Sequence, residues 1–166
     1  MFSQRLFCLG HLLLILALYS GQSVADVPGG QAAILAGDFP RAFKEFKEAA
    51  DKGNPLAMAP VAVMLHFGQG VKQNLKQAFS WYRKAASKGY EAGMANVGIM
   101  YYKGAGVEQN DVKAYAWLDL ASFVRGGREH NAKARVASFL SAKRLKEAKQ
   151  LAASMRKKYL KKHPKK

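Results

Sequence analysis

The groups in this chain able to do chemistry are few: four histidines, one cysteine and 11 carboxylates among 166 residues. The histidines, His11, His66, His130 and His163, fall in unrelated stretches, and no two have the spacing of a metal site. His66 holds the place that Tyr102 takes one step later, which makes it a packing residue. Two Gly-x-Gly loops, Gly68–Gly70 and Gly104–Gly106, could suggest a phosphate cradle. They follow helical rather than strand patterns and lack the third glycine of a dinucleotide fingerprint, so they read as turns that need positive φ. Glu45, Glu48 and Asp51 recur every three residues along one helix, where Lys44, Lys47 and Lys52 can pair with them. No acid and base share an apolar setting able to shift their protonation. Neither catalytic residues nor a metal or cofactor site are therefore expected, and the chain reads as a non-enzyme.

The elements that carry these residues repeat. A step of 36 residues separates Ala42, Ala78 and Ala114; Ala49, Ala85 and Ala121; and Phe46, Tyr82 and Leu118. Met64 and Met100 keep the same step, as do Gly68, Gly70, Val71 and Gly104, Gly106, Val107. A period of this size signals stacked supersecondary units, each unable to bury its apolar face alone. Within the unit, Ala78, Trp81, Tyr82, Ala85 and Ala86 fall on one face of a helix that Gly89 ends. Met94, Val97, Gly98, Tyr101 and Tyr102 form a second helical face, stopped by Gly104. Small residues where the faces meet let the axes approach closely. Each unit is thus an antiparallel helix pair, and the fold class is all-α, a short α/α solenoid.

The stretches AFSWYRKAASKG, GIMYYKGAGV and the restart DVKAYAWLDLA, with Ala114 and Trp117, closely resemble Sel-one-like repeats (SLR), relatives of the tetratricopeptide repeat. The resemblance covers roughly residues 37 to 122. It implies a superhelix of stacked pairs and an adaptor role, with the first helix of each pair lining a concave surface. Some disulfide-stapled relatives have been linked to β-lactam binding; this chain departs from their cysteine pattern, and that activity is not carried over.

In chain order, residues 1–25 have the layout of a secretory signal peptide: Arg5, an apolar run from Leu6 to Tyr19, and Ser23-Val24-Ala25 as a small-x-small cleavage signal. The alternative is an uncleaved anchor, for which 14 apolar residues are short against the roughly 20 that a span needs. Cys8 lies inside the run and leaves with it, so the exported chain, periplasmic or secreted, has no disulfide or thiol nucleophile. Residues 26–36 form a linker, to Gly30, and a half-unit helix over Gln31–Ala36. Repeat 1 is 37–73, opening with Asp38 as N-cap and Pro40 in the first turn, with Glu45 where repeat 2 has Trp81. Its second helix carries Pro60, which predicts either a kink near Ala57–Met58 or a start only at Ala59. Repeat 2 is 74–109, and 110–140 is a degenerate repeat 3. Residues 141–166 are a capping helix and tail, started by Ser141, with Leu145, Ala148, Leu151, Ala152, Met155 and Tyr159 in one stripe.

The net charge of +16 is concentrated. Residues 26–122 hold 11 Lys or Arg against 9 Asp or Glu, and residues 123–166 hold 15 against 2. A basic helix and tail attract anions. The aromatics that could stack on bases lie in the repeats rather than among these lysines, which weighs against nucleic acid. An anionic membrane or envelope polymer fits better, through Lys143, Arg144, Lys146, Lys149, Arg156, Lys157, Lys158, Lys161 and Lys162. The alternative is a solubilising face. For the adaptor reading, which needs a protein or peptide partner, the positions left free by the core are Ser80, Arg83, Lys84 and Ser87, followed by Ala116, Asp119 and Leu120 on the next first helix. A monomer is expected.

Overall fold

The computed structural model describes residues 27–126 and 131–163. The expected signal peptide with Cys8 and His11, and His130 and Pro164 near the far end, lie outside the described residues. Eight helices make up the described chain: α1 (Pro28–Leu35), α2 (Phe39–Asp51), α3 (Pro55–Phe67), α4 (Leu75–Ser87), α5 (Glu91–Lys103), α6 (Asp111–Val124), α7 (Asn131–Phe139) and α8 (Ala142–Lys162). Each packs chiefly on its neighbours in sequence, except that α8 packs on α6. The architecture is the all-α stack of helix pairs that the period predicts, with α2–α3 and α4–α5 as complete pairs.

The period reaches the backbone. Asp38, Asn74 and Asn110, again 36 apart, each accept a hydrogen bond on the side chain from the amide three residues on, and so cap α2, α4 and α6. The Asn74 amide donates to the Leu65 carbonyl at 2.8 Å, and its counterpart Asn110 donates to Tyr101 at 2.9 Å. These bonds tie each cap to the last turn of the helix before it. The loop glycines have φ near +70°: Gly68 +70, Gly70 +68, Gly104 +65 and Gly106 +71. At Gly70 and Gly106 there is a second constraint, because a Cβ would strike the carbonyl of Phe39 and of Leu75 respectively. The turn after each second helix thus leans on the start of the first helix of its own pair.

Close approach also sets how the helices touch. A Cβ on Gly93 of α5 would lie 2.8 Å from the Tyr82 carbonyl oxygen of α4. One on Gly98, further along α5, would lie 2.7 Å from Cγ of Leu118 in α6. Tyr82, Phe46, Met64, Met94, Met100 and Leu118 are among the largest fully buried side chains. Burial contributes on the order of 1.5–3 kcal/mol for each such side chain.

Unit one differs from the sequence expectation in two ways. Helix α1 begins at Pro28, so Gly29 and Gly30 are helical rather than linker. The reason is packing: a Cβ on Gly30 would come within 2.9 Å of the Phe46 ring, and one on Gly29 within 2.9 Å of Glu45. The backbone of α1 therefore fills the space beside Glu45 where a tryptophan ring would otherwise lie. Helix α3 runs through Pro60 from Pro55 without a late start. Every residue from Ala57 to Leu65 is buried, so α3 is held on all sides, and that burial outweighs the one amide bond that proline removes.

The last helix does more than close the end. Ala148 and Ala152, at 0% and 1% exposure, lie in a cluster with Val112, Ala116 and Val136, and Met155 and Tyr159 pack with Leu120, Ala121, Ala86 and Met94. At its C-terminal end, Lys162 Nζ donates to the Ser87 carbonyl at 2.8 Å, and the side chains of Tyr159 and His163 flank Gly89. Helix α8 thus lies along α6 and reaches back to the α4–α5 corner.

Replacing Gly106 by Ala is expected to destabilise the fold by roughly 3 kcal/mol, from backbone strain and the collision with Leu75 together. Gly37, with φ +74 and nothing within 4 Å, isolates the strain alone. Gly37→Ala should cost about 1–2 kcal/mol. Urea denaturation of the two variants measures the difference.

Candidate partner-binding surface

Of the free positions read from the sequence on α4, Ser80, Arg83, Lys84 and Ser87 are all exposed. They lie on the side of α4 away from the buried Ala78, Tyr82 and Ala85. The amphipathic spacing of α4 positions them, and the Asn74 cap fixes where the helix begins. Ser87 is held locally, its hydroxyl donating to the Lys84 carbonyl at 2.7 Å.

Lys84 is not simply solvated. Its ammonium lies 3.8 Å from the centroid of the Trp81 ring, and Lys47 of α2 approaches the same ring at 5.4 Å. Trp81 is 7% exposed, so the two lysines roof a ring that belongs to the core. The ring face attracts each cation and limits where it can go. Lys47 is also paired with Asp51, while Arg41–Glu45 and Lys52–Glu48 bridge neighbouring turns of α2. The Lys52 ammonium, bonded to the Glu48 carboxylate, lowers the carboxyl below its ordinary range. The exposed face across α2 and α4 is therefore mixed in charge on α2 and basic on α4. Lys47 was missed as a contributor because its period partner, Arg83, gives no hint that it reaches a ring on the next helix.

The corresponding face of α6 is closed. Ala116 and Leu120 are 0% and 5% exposed, which corrects the expectation that they are free. Helix α8 covers them. Asp119, expected to meet a partner, has a side chain only 12% exposed. Lys133 of α7 stands 3.5 Å from its Oδ1 and Arg156 of α8 3.4 Å from its Oδ2. Its role in the structure is to join three helices. The small residues Ala148 and Ala152 were the signal that α8 could approach α6 closely, but nothing in the sequence showed which face it would take.

The basic set divides likewise. Arg156 is bound to Asp119 and lies 5.9 Å from the Phe123 ring, and Lys162 is bound to the Ser87 carbonyl. Lys143, Arg144, Lys146, Lys149, Lys157, Lys158 and Lys161 are exposed. Among the described residues no group of three His, Cys, Asp or Glu side chains could hold a metal ion. No described helix is long and apolar enough to cross a membrane.

His66 sits in packing contacts, stacked on Phe67 at 4.7 Å and edge-on to Tyr82 at 6.3 Å. Partial burial, followed by the nearby Lys103 charge, lowers its pKa. Its Nδ1 is buried with no hydrogen-bond partner. The unfolded chain takes up this proton at higher pH than the folded one, so the contribution of His66 is complete above the unfolded pKa of about 6.5 and is lost as pH falls through the folded value. Stability should therefore drop between neutral and mildly acidic pH. In His66→Tyr, which copies the second unit, thermal melts should show a smaller drop over that range. Asp119→Ala should destabilise by about 1–3 kcal/mol and raise amide exchange in α8 before the rest of the chain.

The sequence profile of the Sel1 repeat matches residues 55–90 and 92–122, which hold α3 with α4 and α5 with most of α6. A search of the curated proteins finds no match. Among solved structures, one similar to this chain is a protective antigen present in uropathogenic Escherichia coli strains, displaying an SLR fold. It is 29% identical, with a TM-score of 0.69 over 88% of this chain and 34% of that one. A Sel1 repeat protein from Oxalobacter formigenes is 26% identical, with a TM-score of 0.58 over 77% of this chain and 54% of that one. The chain thus spans about a third to a half of the length of these two proteins. With Sel1 repeat matches across the four central helices, and the same stacked-pair fold in both solved structures, the chain carries Sel1-like repeats and has the SLR fold.

Proposed function

We propose that the protein is a non-enzymatic adaptor of the cell envelope that binds a protein or peptide partner across the exposed face of α2 and α4. Sel1 repeats are commonly protein–protein interaction scaffolds, which supports the general role. The observation that carries the specific reading is the contrast between α4 and α6. The two helices are equivalent by period, yet α8 covers Ala116, Asp119 and Leu120 while Ser80, Arg83, Lys84 and Ser87 stay open. Among the described residues, α8 closes this face at α6 and leaves it open on α2 and α4, where a partner can approach. The roof of Lys47 and Lys84 over Trp81 gives that place ordered cations, which cost less to immobilise than free side chains.

Location in the envelope rests on the signal-like N-terminal stretch, with its apolar run Leu6–Tyr19 and Ser23-Val24-Ala25. The periplasm is the favoured compartment because one cysteine, inside that stretch, leaves nothing to oxidise.

Photo-crosslinking in the native host tests the surface. A crosslinking residue at Ser80, Arg83 or Ser87 is expected to trap a discrete protein adduct that the same residue at Lys72, an exposed loop position, does not give. The same pattern from Lys72, or no adduct from the three α4 positions, would overturn the proposed face.

A further inference from the structure

The outward side of α8 is the most strongly charged surface in the described chain. The helix has 21 residues from Ala142 to Lys162. Nine are Lys or Arg, and Glu147 is the one acid among them. Its inward side is fixed by Ala148 and Ala152 against α6. Lys143, Lys146, Lys157 and Lys161 lie at helical spacings on the opposite side, all exposed. At 1.5 Å per residue this row is about 27 Å long. Lys149, Arg144 and Lys158 flank it. Among the described residues no ion pair engages these seven cations; Asp119, on the helix that α8 packs against, is taken by Arg156 and Lys133.

From this placement we infer that the outward row of α8 docks the protein on an anionic lipid bilayer, with the repeats facing away from the surface. The inference is independent of the partner reading for α4. Three observations favour a bilayer over a nucleic acid. The only aromatic of α8, Tyr159, is turned inward, stacked on His163 at 4.6 Å beside Gly89, so it offers no platform for bases. Leu160, 38% exposed, flanks the charged row beside Lys157, where an apolar group meets the headgroup boundary. A 21-residue helix seated on a packed stack also presents its cations in one row, which matches a plane of headgroup phosphates. The repeats, nearly neutral over residues 26–122, neither oppose nor compete with that attraction.

The test is sedimentation of the full chain with vesicles of phosphatidylcholine alone and of phosphatidylcholine mixed with phosphatidylglycerol. The neutral vesicles account for any contribution of the apolar run Leu6–Tyr19. Partition onto anionic vesicles should exceed that onto neutral ones and fall as salt rises. Replacing Lys143, Lys146, Lys157 and Lys161 together by Gln should lower the anionic partition by roughly 100-fold or more, at about fivefold per lysine, with the helical circular dichroism unchanged. Should that variant lose helicity, the salt series on the unmodified chain decides the matter alone. Equal partition on the two vesicle types would overturn the proposal, as would full retention by the variant. So would binding to added DNA or polyglutamate without binding to vesicles.

Discussion

The stack depends on how closely α5 can approach the helices on either side of it. Gly93 brings it against the backbone of α4 at Tyr82 and Ala86, and Gly98 brings it against Leu118 of α6. No side chain fits at either contact. That closeness is what leaves Tyr82, Met94, Met100 and Leu118 almost without exposure, although each helix pair alone has too little surface to enclose them. The capping residues and loop glycines follow from it. Once the axes are this near, the turn between pairs has a fixed length and a fixed path, and Asp38, Asn74 and Asn110 mark its end in each unit.

The central fold was legible because these constraints fall on residue types that stand out. Glycine in the loop after each pair, asparagine at a cap and tryptophan on the first helix recur at one spacing, and α4 and α5 follow directly from them. The edges were less legible. Pro28-Gly29-Gly30 has the composition of a linker, yet α1 forms there because its bare backbone fits against Glu45 and Phe46. Pro60 left open a late start at Ala59, and tertiary burial instead carries α3 through it from Pro55. In both places local preference was outweighed by contacts with residues distant in sequence, which a single chain does not display.

The candidate surface was legible only as a pattern of leftover positions. Spacing separates Ser80, Arg83, Lys84 and Ser87 from the core, and the same rule assigns Ala116, Asp119 and Leu120 to the same surface. The rule fails on α6 because another helix, more than 20 residues later in the chain, uses that face for packing. A polar Asp119 amid Ala116 and Leu120 looked like a groove residue and is instead the acid on which Lys133 and Arg156 converge. Likewise, the lysines of α8 look alike in sequence, and only their direction separates Arg156 and Lys162, which hold the helix down, from the outward row.

Arrays of this kind normally gain order one neighbour at a time, and each new unit completes the one before it. The bond from Lys162 to Ser87 spans 75 residues and breaks that habit. Because α8 both covers α6 and returns to the α4–α5 corner, a chain growing from its N-terminus exposes Ala116, Leu120 and the small face of α6 until its last stretch arrives. The face of α6 is therefore covered only once α8 is in place, and a chain cut short before α8 presents apolar surface in place of a finished end.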